Sequence, residues 1–476
     1  MIIPRNKTKI VCTIGPASAT PEIMANLIRA GMNVARLNFS HGDFPSHKKI
    51  IGNLREAARS VGKPVAIMAD LSGPKIRIGK LAQEPIELQA DHRIILSTED
   101  FVGDAARISV SFSRLPQAVR PGDMLFLNDG YIQLEVKELK GKETACNVVV
   151  GGELRSRQGL NMPGINLGIS AFTAKDHRCL KFALENGVDA VSQSFVEAVS
   201  DIHAVREAAE SFGHHPFIIA KIERSGVLQH MEEILEAADG IMIARGDLGV
   251  EMSIEDLPGI QKDLVRKANL IGKPVITATQ MLESMTNNRR PTRAEATDVA
   301  NAILDGSDCV MLSGESAIGK YPVEAVAVLA RIAAAIESRR TAQPVRDAIR
   351  PAGKDAAVSL HDVIALGVET TSRHASPAVV IVPTRSGATA RSIARFRLPM
   401  WITAVSALKS TCQNLQFSYG IQPVHAPEQP EDWKSFAREW LRDNGVDGDL
   451  VVLTEGPSSR HPEANNRMEI IDLSRR

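Results

Sequence analysis

The chain has 476 residues, of which 44% are hydrophobic and 24% charged, enough to bury more than one core, so two or three domains are expected. Lys plus Arg and Asp plus Glu both total 56, which excludes a broadly basic nucleic-acid binder and leaves any phosphate chemistry to local charge. With 4% aromatics, no apolar run of membrane-span length and no signal-like start, the chain is expected to be cytoplasmic, with neither nucleic acid nor membrane as a partner.

In chain order, residues 10–14, 34–39, 65–70, 190–196, 217–223, 241–247, 275–280 and 310–315 read as eight apolar strands. Amphipathic stretches such as 23–30, 201–212, 257–271 and 322–338 lie between them. This alternation predicts an α/β fold, a parallel (β/α)8 TIM barrel whose site gathers where the strands end. Roughly 100 residues separate the third strand from the fourth. Short alternating segments at 86–88, 93–97, 124–127, 132–136 and 144–150, punctuated by Pro121-Gly122, Asp129-Gly130 and Gly151-Gly152, predict a small inserted β-barrel placed to act as a lid. A polar stretch at 340–354 then leads to strands at 379–382, 401–405 and 450–454 and helices near 390–395 and 433–444, an open α/β domain with 468–473 as an edge strand. The expected domains are 1–73 with 170–340, 74–169, and 341–476.

Cys12, Cys146, Cys179, Cys309 and Cys412 are far apart, with no CxxC pair, and read as lone buried thiols in a reducing compartment. Two neighbouring strands end on charge, one at Lys221-Ile222-Glu223 and the next at Arg245-Gly246-Asp247. A lysine and two carboxylates there suit a divalent metal and a phosphate, with structural ion pairs as the alternative that these residues alone leave open.

Four segments together resemble the pyruvate kinase family: Val34-Ala35-Arg36-Leu37-Asn38-Phe39-Ser40-His41-Gly42, Ile218 through Glu223, Ala244 through Glu251, and Thr277-Ala278-Thr279-Gln280-Met281-Leu282-Glu283-Ser284-Met285. The resemblance runs over essentially the whole chain and implies transfer of a phosphoryl group from phosphoenolpyruvate to ADP. By matching position, Glu223 and Asp247 are implied as ligands of Mg2+ or Mn2+, Lys221 as the cation facing the phosphoryl group, and Arg36 as a phosphate-binding fork. The Gly246 and Asp247 amides are implied to take the substrate carboxylate, and Thr279 lies beside the enolate, with Ser313 and Glu315 as relay candidates for its protonation. Asn38, His41 and Arg77 are implied to meet the nucleotide, with helix capping the alternative for Asn38 and Ser40. Gln158 stands where a lysine is common in the family, and Asp129 reads either as a hairpin-turn residue or as a nucleotide contact on closure.

A monovalent-cation pocket is implied at Asn38, Ser40, Asp70 and Leu71. Leu71 and Lys75 replace the threonine and glutamate of potassium-dependent members, so Lys75 is expected to substitute for the ion and potassium not to be required. In the third domain Thr384-Arg385-Ser386-Gly387-Ala388-Thr389 matches an effector-phosphate loop. The resemblance is closer to the monophosphate-activated bacterial enzymes, implying a sugar monophosphate or AMP as activator of a homotetramer. A metal-dependent lyase or aldolase and a catalytically silent effector-binding protein are the competing readings.

Overall fold

The computed structural model describes residues 3–165, 167–340, 345–347, 359–456 and 465–475. Eight strands, Lys9–Thr13, Met32–Asn38, Ala66–Leu71, Ala190–Gln193, Phe217–Ile222, Gly240–Ala244, Val275–Ala278 and Cys309–Leu312, form a closed barrel in sequence order, and the last pairs in parallel with the first. Local chemistry sets the helices around it. Helix Pro21–Ala30 starts with Thr20 accepting the Ile23 amide and Pro21 at its first position, and stops at Gly31, whose φ of +132° disfavours a side chain. Helix Arg293–Asp305 opens with a Thr292/Glu295 capping box.

Side chains alternate across each strand, and the two faces have different fates. One set, including Ile10, Leu37, Ile67, Ile218, Ile243 and Leu312, packs outward against the helices. The other, including Val11, Val34, Met68, Ile219, Met242, Ile276 and Met311, fills the barrel. Continuing the inward set by two residues toward the strand ends reaches Thr13, Arg36, Asp70, Lys221 and Ser313. The mouth of the barrel is therefore the polar top layer of its own core.

The predicted strands run a few residues too far at this end. Glu223 lies one residue beyond its strand, Asp247 lies in helix Arg245–Glu251, and Glu315 lies in helix Gly314–Ala317.

In the inserted unit, one six-stranded sheet ends on the edge strands Leu160–Asn161 and Arg107–Ser109. Residues 76–79 stitch these edges together: Ile78 donates to the Gln158 carbonyl at 3.0 Å, and Gly79 donates to Ser109 at 2.8 Å. The sheet curls on itself, as the sequence predicts. Its tip, Asn128-Asp129-Gly130, is a hairpin turn with φ of +52°, +53° and +91°, and Gly130 lies against Val250 over the barrel mouth.

The C-terminal unit is a five-stranded sheet, parallel except for its edge strand Arg467–Asp472. Sequence reading passes over the strand Ile421–His425, because Pro423 interrupts its pattern; as the opposite edge strand it tolerates a residue without an N–H. This unit plugs the barrel floor. Phe417 stacks on Phe217 at 5.3 Å, and the Arg397 fork reaches Asp308 and the Gly306 carbonyl at the end of a barrel helix. Most of the predicted linker at 340–354 lies outside the described residues.

Candidate active site

The hub of the mouth is Asp70, buried at the end of the third strand. Its Oδ2 accepts Arg36 Nε at 2.9 Å, and its Oδ1 accepts Ser192 Oγ at 2.8 Å and faces Lys221 Nζ at 3.3 Å. Burial works to protonate Asp70, but Arg36 and Lys221 overcome it and hold the carboxyl below the usual carboxylate range. Lys221 Nζ pairs with Glu223 Oε1 at 2.7 Å and donates to Ser194 Oγ at 2.7 Å. Burial works to lower the pKa of this ammonium, yet Asp70 and Glu223 outweigh it and raise it, so Lys221 is a cation at neutral pH. Arg36 is tethered from the other side by Thr13 Oγ1 at 2.9 Å.

Glu223 is 2% exposed, and its Oε2 accepts the amide of Phe195, a residue at φ +59°. Burial raises its carboxyl above the ordinary range, Lys221 opposes the shift, and the neighbouring Asp247 charge adds to it. Two carboxylates close enough to repel, one of them lining an open cleft, are a fitting donor pair for magnesium, which takes few protein ligands and completes its shell with water and substrate oxygens. Among the described residues no cluster of three or more His, Cys, Asp or Glu competes for that role.

The Gly246 amide does begin a helix, as expected, but it donates to Thr279 Oγ1 at 2.8 Å. The Thr279 hydroxyl in turn donates to the Ala278 carbonyl at 2.6 Å. The amide and hydroxyl expected to meet the substrate carboxylate thus satisfy each other. Glu315 accepts the Leu282 amide at 2.9 Å and the Ser313 amide at 2.7 Å, which braces the loops after the last two strands.

A cleft of about 330 Å³ opens between the mouth and the inserted unit, lined among others by His41, Lys75, Arg77, Asp129, Gln158 and Asp247. Asn38 and Ser40 do not cap the second helix, which starts later. Asp43 is the cap, and Asn38 Oδ1 accepts the Ser40 amide instead. Arg77 is anchored to the Arg157 carbonyl at 2.8 Å, and Gln158 holds Asn128 of the hairpin tip at 2.7 Å. His41 is pushed below its ordinary pKa by partial burial and by Arg77, Lys75, Arg36 and Lys175. The last of these, which donates to Ser72 Oγ at 3.3 Å, is a cation that the motif reading missed. Leu71 is buried and Lys75 exposed at the cleft.

The loop at 384–389 follows strand Val379–Pro383 of the C-terminal unit, the unit that packs against the barrel floor. Thr384 Oγ1 accepts the Gly387 amide at 2.9 Å, Ser386 Oγ accepts the Ala388 amide at 3.4 Å, and Arg385 and Ser386 are exposed. Sequence reading also missed Ser192 and Ser194, the hydroxyls that steady Asp70 and Lys221. Their signal is the period-two step from Ala190 along the fourth strand.

Two family models match the chain: "Pyruvate kinase, barrel domain" over residues 5–326 and "Pyruvate kinase, alpha/beta domain" over residues 362–471. The chain is 45% identical to a pyruvate kinase of Thermococcus litoralis over 99% of this chain and all of that protein. It is 42% identical to one of Geobacillus stearothermophilus over 99% of this chain and 81% of that protein. A crystal structure of a pyruvate kinase from Cryptosporidium parvum superposes with a TM-score of 0.91 at 36% identity, covering 98% of this chain and 96% of the other. With a closed barrel, a curled inserted sheet and a C-terminal α/β unit in the same order, the chain belongs to the pyruvate kinase family of phosphotransferases.

Proposed function

We propose that this chain transfers the phosphoryl group of phosphoenolpyruvate to ADP, giving pyruvate and ATP, the last step of glycolysis. The observation that carries the reading is the Lys221 ammonium, buried at the mouth between Asp70 and Glu223 with Arg36 beside it. Phosphoryl transfer spreads charge over three equatorial oxygens, and fixed cations in a low-dielectric site stabilise that charge without reorganising. Arg36 holds the substrate phosphate and Lys221 follows the group in flight. Gly246, Asp247 and Thr279 take the carboxylate, and Thr279 with Ser313 and Glu315 serves protonation of the enolate. Glu223 and Asp247 hold magnesium, or manganese in its place. When bound, the ion adds positive charge at the transferring oxygens.

The division of labour follows the three units, taken as 1–73 with 170–340, 74–169 and 341–476. The cleft beneath the lid receives ADP, with Asn38, His41 and Arg77 against its phosphates. The reading extends to a cytoplasmic, bacterial-type enzyme acting as a homotetramer, potassium-independent and activated by a sugar monophosphate or AMP at the loop 384–389. An assay with phosphoenolpyruvate, ADP and magnesium tests the core: ATP and pyruvate are expected in equal amounts. A lyase would release pyruvate without ATP, and a silent effector-binding protein would make neither.

For the effector loop, Arg385→Ala with Ser386→Ala is expected to weaken activation at least tenfold while unactivated turnover stays near wild type. Both side chains are exposed, so their removal leaves the fold intact. A normal response of the double variant to glucose 6-phosphate and AMP would leave the loop as a helix start and nothing more.

A further inference from the structure

The turn that carries Thr279 is held from outside the substrate site. Thr279 and Gln280 take φ of +70° and +52° directly after the seventh barrel strand, left-handed values that a β-branched residue adopts only when its surroundings impose them. Arg245 is the imposing group. Its side chain, 11% exposed, donates from Nη2 to the Thr279 carbonyl at 2.8 Å and from Nε to the Ala278 carbonyl at 3.3 Å. The outer edge of the same fork pairs with Asp298, Nη1 to Oδ1 at 2.7 Å and Nη2 to Oδ2 at 2.7 Å. Asp298 belongs to helix Arg293–Asp305, so the pair ties the turn to an outer helix.

The Ala278 carbonyl is where this hold reaches the chemistry. It accepts both Arg245 Nε and the Thr279 hydroxyl, while Gly246, the residue after Arg245, donates to that same hydroxyl. Resting on the reading of Thr279 as the residue beside the enolate, we infer that Arg245 and Asp298 are a positioning pair for the Thr279 hydroxyl. Arg245 fixes the backbone from which the hydroxyl projects and shares the Ala278 carbonyl to which that hydroxyl donates, so it sets the position from which the hydroxyl turns toward substrate. A guanidinium can bind two carbonyls and a carboxylate at once, and a lysine ammonium cannot reproduce that planar fork.

The test separates two half-reactions. Exchange of the pyruvate methyl hydrogens with deuterated solvent breaks a C–H bond, passes the proton to solvent and returns a deuteron to the same carbon, so it reads proton transfer alone. ATP formation from phosphoenolpyruvate and ADP reads phosphoryl transfer, because enolpyruvate can leave and ketonise in solution. In Arg245→Lys, and in Asp298→Asn at a residue 38% exposed, exchange is expected to fall at least tenfold more than ATP formation. An equal fall in both rates, or no fall in either variant, would overturn the inference. Thr279→Val distinguishes the two levels of failure. If it keeps normal exchange, the reading of Thr279 fails and the positioning pair fails with it; if it loses exchange while Arg245→Lys and Asp298→Asn do not, only the positioning pair fails.

Discussion

Lys221→Met is expected to lower turnover by roughly 10³-fold or more while leaving magnesium-dependent substrate binding largely intact. One unit charge about 4 Å from another is worth about 4 kcal/mol at an effective dielectric near 20, which is about three decades in rate when the interaction exists mainly in the transition state. Methionine keeps the unbranched stem and removes the terminal charged nitrogen. Arg36 still pairs with Asp70, and Asp247 still faces the cleft. Glu223, however, loses the ammonium that opposes its burial, so its carboxyl rises further and takes up a proton at a higher pH than in the parent protein. Mn2+ affinity in this variant should therefore weaken as pH falls, because a protonated carboxyl is no ligand. Asp247→Ala, by contrast, should lose metal-dependent binding and turnover together. Steady-state kinetics and equilibrium Mn2+ binding check both variants. Wild-type-like turnover in Lys221→Met would show that the ammonium is only an ion-pair partner.

Much of this arrangement was legible in the chain because the barrel obeys a simple period. Strands such as Phe217–Ile222 alternate outward and inward, so the step from Ile219 to Lys221 to Glu223 already put two charges on one face at one end. The eight strands, the insertion and the third unit followed from the same counting. Boundaries were less legible. Charged residues just past a strand continue its pattern in sequence but adopt helical geometry in Arg245–Glu251 and Gly314–Ala317.

Partners separated widely in sequence could not be read at all. Asp70 lies about 120 residues from Ser192 and about 150 from Lys221, and only barrel closure brings them together. The alternative reading, in which Asn38 or Ser40 caps the second helix, fails because Asp43 is closer to its start and its carboxylate accepts the Ser46 amide at 2.9 Å. The hold of Arg245 on Thr279 depends on a carbonyl, and carbonyls carry no sequence signal.

Full activity without potassium, and a fall of at least tenfold in Lys75→Glu that added potassium partly restores, are the other large effects expected. A monovalent ion in this pocket would contribute one positive charge beside the substrate phosphate, using oxygens near Asn38, Ser40 and Asp70. The pocket as built is poor in free oxygens. Both Asp70 oxygens are engaged by Arg36, Ser192 and Lys221, Asn38 Oδ1 accepts the Ser40 amide, and Leu71 brings a buried hydrocarbon. Cations covalently part of the chain are plentiful, since Lys75, Arg77, Arg36 and Lys175 all act on His41.

Changing Lys75 to glutamate moves the local charge by two units, from +1 to −1. At about 4 Å and a dielectric near 20 each unit is worth about 4 kcal/mol, although the exposure of Lys75 lets solvent screen much of it. The remaining cations, Arg77, Arg36 and Lys175, buffer the change further, which is why a partial loss is expected rather than abolition. The new carboxylate supplies the oxygen ligand that the pocket lacks, so potassium gains a place to bind. The measurement is initial rate against potassium at constant ionic strength, with a bulky organic cation as the replacement. A many-fold rise of the parent enzyme's activity with potassium would sink the idea; so would a Lys75→Glu variant indifferent to the ion, because the pocket would then be unable to hold it even when given a ligand.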